Sequence, residues 1–273
     1  MTTTATGGAG PRAPFGRRLA HAMETAGPLC LGVDPHPTLL RQWGLSDTPA
    51  GLEAFSLTAL EAAVGPEGPR VAAIKPQVAL YERHGSAGLA ALERLLAAAR
   101  DAGVLTIADA KRGDIGSTMD GYAAAWTSDA SPLAADAVTL SPYLGFGTLV
   151  PTIRAAHEAG RGVFVLALTS NPEGREVQHV GEGSAEGSVA RRIAAAAAAE
   201  NAALRGDDAW GPVGLVLGAT VAAEADRLGL DLPALGGPLL APGFGAQAPR
   251  PGACGPTSGR PGRRSWRPRP AAS

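Results

Sequence analysis

Lysine is all but absent from this 273-residue chain. Of 24 basic residues only Lys75 and Lys111 are lysines, and the other 22 are arginines. Where a plain positive charge suffices this sequence uses arginine. A position that keeps lysine therefore asks for a compact ammonium able to give up a proton, which a guanidinium does not do. Aromatic residues are scarce, at 4%. With 45% hydrophobic content the core must be built mainly from Ala, Leu and Val. The two cysteines, Cys30 and Cys254, are too few for a disulfide framework and make no metal pattern. Cys30 lies within an apolar run and reads as a buried thiol, which fits a reducing cytoplasm. No apolar run reaches membrane-spanning length, and Met1 to Gly10 lacks the charged and apolar regions of a signal peptide, so a cytoplasmic protein with no membrane partner is expected. Acid is missing from residues 249–273, which hold six arginines; the formal net charge of −1 then leaves about −7 on the remainder. An acidic body gives no support to nucleic-acid binding.

What is present is a repeating rhythm. Short apolar runs occur at Leu29–Val33, Val71–Ile74, Val104–Ala108, Ala137–Leu140, Val163–Leu168, Val213–Leu217 and Leu239–Ala241. Helical patterns separate them, the clearest at Ser86–Arg100, where Leu89, Leu92, Leu95 and Leu96 line one side and Ser86 is placed to cap. Others are predicted over Phe15–Ala26, Leu52–Val64, Ser117–Trp126, Gly147–Ala159, Ser188–Leu204 and Val221–Leu228, with a polar loop over Glu173–Gly187. Alternating strands and helices predict an α/β fold with a parallel sheet. Polar residues gather at the C-terminal ends of the strands: Asp34, Lys75, Asp109, Ser141, Thr169 and Thr220. A (β/α)8 TIM barrel brings all those ends to one face, whereas an open sheet uses the ends near its switch point. Neither a Rossmann fingerprint nor a Walker loop is present.

The eighth unit of such a barrel is missing. Residues 248–273 are rich in proline and arginine and have no apolar period, so they predict an irregular or disordered tail. The expected organisation is a flexible N-terminus over 1–14, a barrel over 15–247 and this tail. A shifted reading frame near codon 248 would produce so abrupt a change.

The densest chemistry lies in Ile107-Ala-Asp-Ala-Lys-Arg-Gly-Asp-Ile-Gly116. If Asp109 closes the strand, the two-residue strand period lets Asp109 and Lys111 point the same way, and Asp114 returns from the loop. Carboxylates around an ammonium hold it charged and aimed. The competing reading is a surface ion-pair cluster ahead of a helix. Both lysines following apolar runs favours one shared site.

Six strings together resemble orotidine 5'-phosphate decarboxylase in its longer bacterial form: Leu29-Cys-Leu-Gly-Val-Asp-Pro-His-Pro37, Ile74-Lys-Pro-Gln77, Ala108-Asp-Ala-Lys-Arg-Gly-Asp-Ile-Gly116, Ser141-Pro-Tyr-Leu-Gly-Phe-Gly147, Thr169-Ser-Asn-Pro-Glu-Gly174 and Pro242-Gly-Phe-Gly-Ala-Gln247. The resemblance implies a (β/α)8 barrel, a homodimer, orotidine 5'-monophosphate as substrate, UMP and carbon dioxide as products, and no metal or organic cofactor. It casts Lys111 as the acid that protonates C6, with Asp109, Asp114 and Lys75 in a charge network and Asp114 serving the partner's site. It also implies that Asp34 and Lys75 meet the ribose hydroxyls, that Ile115, Pro142 and Ser170 meet the substrate, and that Gln247 lies on its phosphate side. The family's phosphate-gripping arginine near the eighth strand has no counterpart here in a strand context. Two alternatives stand beside this reading. One is another phosphate-binding barrel lyase or isomerase, with Asp109 as a base. The other is a non-catalytic scaffold whose basic tail binds acidic partners.

Overall fold

The computed structural model describes residues 12–243 and 267–270. Seven strands form a parallel sheet: β1 (Leu29–Val33), β2 (Ala73–Pro76), β3 (Leu105–Arg112), β4 (Ala137–Leu140), β5 (Gly162–Leu168), β6 (Val213–Leu217) and β7 (Leu239–Leu240), neighbours in space in that order. The sheet curls through 244° of a barrel, with its edges 8 Å apart. Helices follow the strands and cover the outside, the longest being Pro49–Ala63, Gly85–Asp101, Gly116–Thr127 and Val189–Leu204; α1 (Phe15–Ala26) instead precedes β1.

Strand alternation divides the core in two. Residues such as Val33, Ile74, Ala108, Val138, Val163, Val165 and Leu215 face outward and pack under the helices. Cys30, Ala73, Ile107, Ala137, Phe164, Val216 and Leu240 face inward and fill the barrel. Helix α1 plugs the N-terminal end of that interior with Phe15, Leu19 and Met23, each burial worth roughly 1.5–3 kcal/mol. Phe15 meets Phe164 edge to face at 6.1 Å. Gly162 and Gly214 make room, since a Cβ at either position would strike the Phe15 or Phe164 ring.

The two-residue period then stacks a second inward layer on the first. Two residues beyond Ala73, Ile107 and Ala137 stand Lys75, Asp109 and Thr139, at the C-terminal end of the barrel. The apolar lower layer is thus what carries the polar one.

Three local expectations change. The Asp34-Pro-His-Pro stop is followed at once by a short helix, Pro37–Gln42, because a proline at the first helical position needs no N–H partner. The long helix starts at Gly85 with no side-chain cap, so Ser86 does not cap it. The loop after Thr169 contains the turns of helix Pro172–Gly174 and Arg175–Gln178.

Most of the 248–273 segment lies outside the described residues. Within it, Arg267–Pro270 forms a strand, β8, parallel to β1 in the register Leu29↔Arg267 to Gly32↔Pro270. The edge of β1 is therefore paired. Prolines occupy alternate positions of β8, so along one of its two sides it presents carbonyls without N–H donors. Such a strand can pair on one side and not make a full ladder on both. No helix follows it among the described residues. Replacing residues 248–273 by a complete strand and helix from a protein of this fold is expected to raise the thermal midpoint, by about 2–4 °C for each kcal/mol gained. An unchanged midpoint in a thermal scan would mean that β8 already closes the sheet as well as a complete unit would.

Candidate active site

The polar layer centres on Asp109. Its Oδ2 accepts a hydrogen bond from Lys75 Nζ at 2.8 Å, and its Oδ1 accepts one from Lys111 Nζ at 2.6 Å. Thr139 Oγ1 also donates to Asp109 Oδ1, at 3.0 Å. Lys111 Nζ lies 3.4 Å from Gln77 Oε1 as well. Within one chain the arrangement is a carboxylate between two ammoniums.

The two lysines differ in setting. Lys75 is 6% exposed and Asp109 is 8% exposed, whereas the Lys111 side chain is 44% exposed and reaches the barrel mouth. Burial works against the charge on Lys75, but Asp109 and Asp34 outweigh it and hold its pKa above the ordinary value. Burial likewise opposes ionisation of Asp109, and Lys75 and Lys111 overcome it, holding the carboxyl below the usual range. Both groups are thus ionised at neutral pH. Beneath them, burial pushes the Cys30 thiol well up, so it stays neutral.

Lys111 is placed by an irregularity, not by simple alternation. β3 pairs with β4 at Ile107↔Ala137 and Ala108↔Val138, then again only at Arg112↔Leu140. Three residues, Asp109, Ala110 and Lys111, therefore face the single residue Thr139. Lys111 takes φ 50°, and no other non-glycine residue has a positive φ among the described residues. A non-glycine residue in that region marks strain and is concentrated at functional sites. Its N–H donates to Thr139 Oγ1 at 2.8 Å. On the far side Arg112 is anchored by an ion pair with Glu82 and by the Tyr122 and Trp126 rings, at 5.5 and 5.8 Å.

The other expected site residues within the described part of the chain follow the C-terminal ends of the strands. Asp34 sits at the end of β1, and its Oδ1 is buried with no hydrogen-bond partner among the described residues. Ile115, Pro142 and Ser170 stand on loops after β3, β4 and β5. Asp114 is half-buried; its Oδ1 accepts the Ile115 N–H, and it makes no ion pair with either lysine among the described residues. Ile115, next to it in the chain, is 60% exposed, and Tyr143 and Leu144, on the loop after β4, are 77% and 50% exposed. Of the expected site residues, Gln247 alone lies outside the described residues. Thr139 and Gln77 were not picked out from sequence. Thr139 sits two residues beyond the inward Ala137, and that alternation is the signal that would have found it.

No helix among the described residues is long and apolar enough to cross a membrane. Known proteins match most of the chain. A family model described as orotidine 5'-phosphate decarboxylase / HUMPS family matches residues 27–257. The orotidine 5'-phosphate decarboxylase of Streptomyces coelicolor is 53% identical over 234 residues, spanning 86% of this chain and 80% of its own length. That of Corynebacterium glutamicum is 50% identical over 234 residues, spanning 85% and 80%. A crystal structure from Streptomyces avermitilis, described as an orotidine 5'-phosphate decarboxylase, superposes with a TM-score of 0.79 at 51% identity, covering 90% of this chain and 81% of that one.

Proposed function

This chain belongs to the orotidine 5'-phosphate decarboxylase / HUMPS family, and on that premise we propose that its Lys-Asp-Lys centre converts orotidine 5'-monophosphate to UMP and carbon dioxide. The observation that carries the reading is the Asp109 carboxylate gripped at both oxygens, by Lys75 at 2.8 Å and Lys111 at 2.6 Å, at the end of an apolar barrel.

The substrate's C6 carboxylate enters beside Asp109 and Lys111. The C6–carboxylate bond breaks, carbon dioxide leaves, and the electron pair stays on C6. The Lys111 ammonium stabilises the developing negative charge and then gives C6 its proton, which becomes the C6–H of UMP. Its proton is restored from solvent, to which the half-exposed side chain has access. Lys75 is too buried to play that part; it keeps Asp109 ionised and fixed, and Asp109 in turn aims Lys111. The proximity of Asp109 to the substrate carboxylate also raises the energy of the bound substrate relative to the transition state.

Asp34 suits the ribose. A buried carboxylate oxygen without a donor is costly unless a ligand hydroxyl satisfies it. Ile115 and Pro142 present apolar surface to the base, and Ser170 offers a hydroxyl at the mouth. Asp114 makes no ion pair with its own lysines among the described residues, and Ile115, Tyr143 and Leu144, on the loops after β3 and β4, are exposed. That pattern supports a two-fold homodimer in which each Asp114 completes the partner's site.

The test is direct. Purified protein incubated with orotidine 5'-monophosphate is expected to release UMP and carbon dioxide in equal amounts, at the same rate with and without chelator. No UMP, together with metal-dependent turnover of another sugar phosphate, would replace this reading with a different barrel enzyme.

A further inference from the structure

We propose that Thr139 is a positioning residue for the proton donor, setting both the backbone and the partner of Lys111. The inference rests on the decarboxylase reading above and adds to it a residue that acts through the lysine.

Thr139 is 1% exposed and lies alone opposite the three-residue excursion Asp109-Ala110-Lys111. Its one hydroxyl has one proton and free lone pairs, and both capacities are used there. The proton goes to Asp109 Oδ1 at 3.0 Å, and a lone pair accepts the Lys111 N–H at 2.8 Å. Asp109 Oδ1 is the same oxygen that binds Lys111 Nζ at 2.6 Å. One side chain therefore holds the lysine at its root and orients the carboxylate that grips its tip. A strand bulge re-aims side chains but leaves ladder groups unpaired; the hydroxyl takes up the N–H that the bulge frees. The φ of 50° at Lys111 makes this necessary. An L residue there relaxes toward negative φ unless its surroundings hold it, and relaxation swings Cβ and the ammonium away from the carboxylate. A β-branched residue suits the task because its χ1 is stiff, so the hydroxyl stays aimed.

Thr139→Val keeps the shape and removes the hydroxyl, and Thr139→Ser keeps the hydroxyl and removes the methyl. With the wild type in the same assay, Thr139→Val is expected to lose on the order of 100-fold in kcat, the scale of a misplaced reacting group. Its KM and its affinity for UMP should stay within about 3-fold, because ribose and phosphate contacts lie elsewhere. Thr139→Ser should recover to within about 3-fold of wild-type kcat. If Thr139→Val does not fold, as judged by its thermal transition, Thr139→Ala takes its place against Thr139→Ser. Wild-type kcat in the hydroxyl-free variant overturns the inference. So does a Thr139→Ser enzyme as impaired as the hydroxyl-free one, or a parallel fall in UMP affinity and kcat, which would mean general damage to the site. A wild type that makes no UMP fails the decarboxylase reading itself, a different outcome from any of these.

Discussion

Lys111→Ala is expected to reduce the turnover of orotidine 5'-monophosphate by at least ~100-fold, since a positioned general acid is commonly worth 100- to 10,000-fold. The loss should fall on kcat and kcat/KM together, the signature of an interaction made in the transition state. UMP should still bind, because the alanine leaves Asp34 and the loop residues in place. The thermal midpoint should barely move: the Lys111 side chain is 44% exposed, and alanine inherits the same positive φ. Retention of more than about a tenth of wild-type turnover would remove Lys111 from the proton-donor role. The same variant tests the shared site. Mixed and re-equilibrated with Asp114→Ala protein, it should recover roughly a quarter of wild-type activity, since half of randomly formed dimers are mixed and each has one intact site. No recovery would mean that Asp114 serves its own subunit or none.

Asp109→Asn is expected to harm both activity and stability, which separates it from Lys111→Ala. Lys75 is 6% exposed and would lose the carboxylate 2.8 Å from its ammonium. Breaking a buried ion pair from one side typically destabilises by 3–5 kcal/mol. Asp34 still acts on Lys75 electrostatically, so the low end applies, about 3 kcal/mol or a midpoint lower by roughly 6–12 °C. Activity should fall by ~100-fold or more, because Lys111 loses the oxygen that aims it. The difference between the two proteins should depend on pH in a stated direction. The Asp109 carboxyl titrates below its ordinary 3.8 in the folded chain, so its contribution is present above 3.8 and is lost as pH falls through the lower folded value. Lys75 titrates above its ordinary 10.5, so its contribution is present below 10.5 and is lost as pH rises through the higher folded value. Denaturant unfolding should therefore show the largest stability gap between wild type and Asp109→Asn from about pH 4 to pH 10, narrowing at both extremes. A gap independent of pH, or none at pH 7, would show that the pair adds nothing to folding.

Much of this was legible in the sequence because it is local. The apolar runs Leu29–Val33, Ala137–Leu140 and Val213–Leu217 coincide with observed strands, since burial on a parallel sheet demands continuous apolar residues. Lys75 and Lys111 stood out by residue type alone. The short helix after Asp34 was missed because two prolines around a histidine read as a stop, although one of them is tolerated in a first turn.

The amino-acid sequence by itself determined the order of the first seven strands and of the long helices, and the residue types of the centre, because strand period and hydrophobicity act over a few neighbours. Only the tertiary structure decided the rest. It set three residues of β3 against Thr139, turned Lys111 to positive φ, and placed Asp109 between two ammoniums where the sequence suggested an ammonium between two carboxylates. It also paired the proline-rich Arg267–Pro270 with β1. Each of these depends on the register between segments far apart in the chain, and register is settled by which side chains can be buried together.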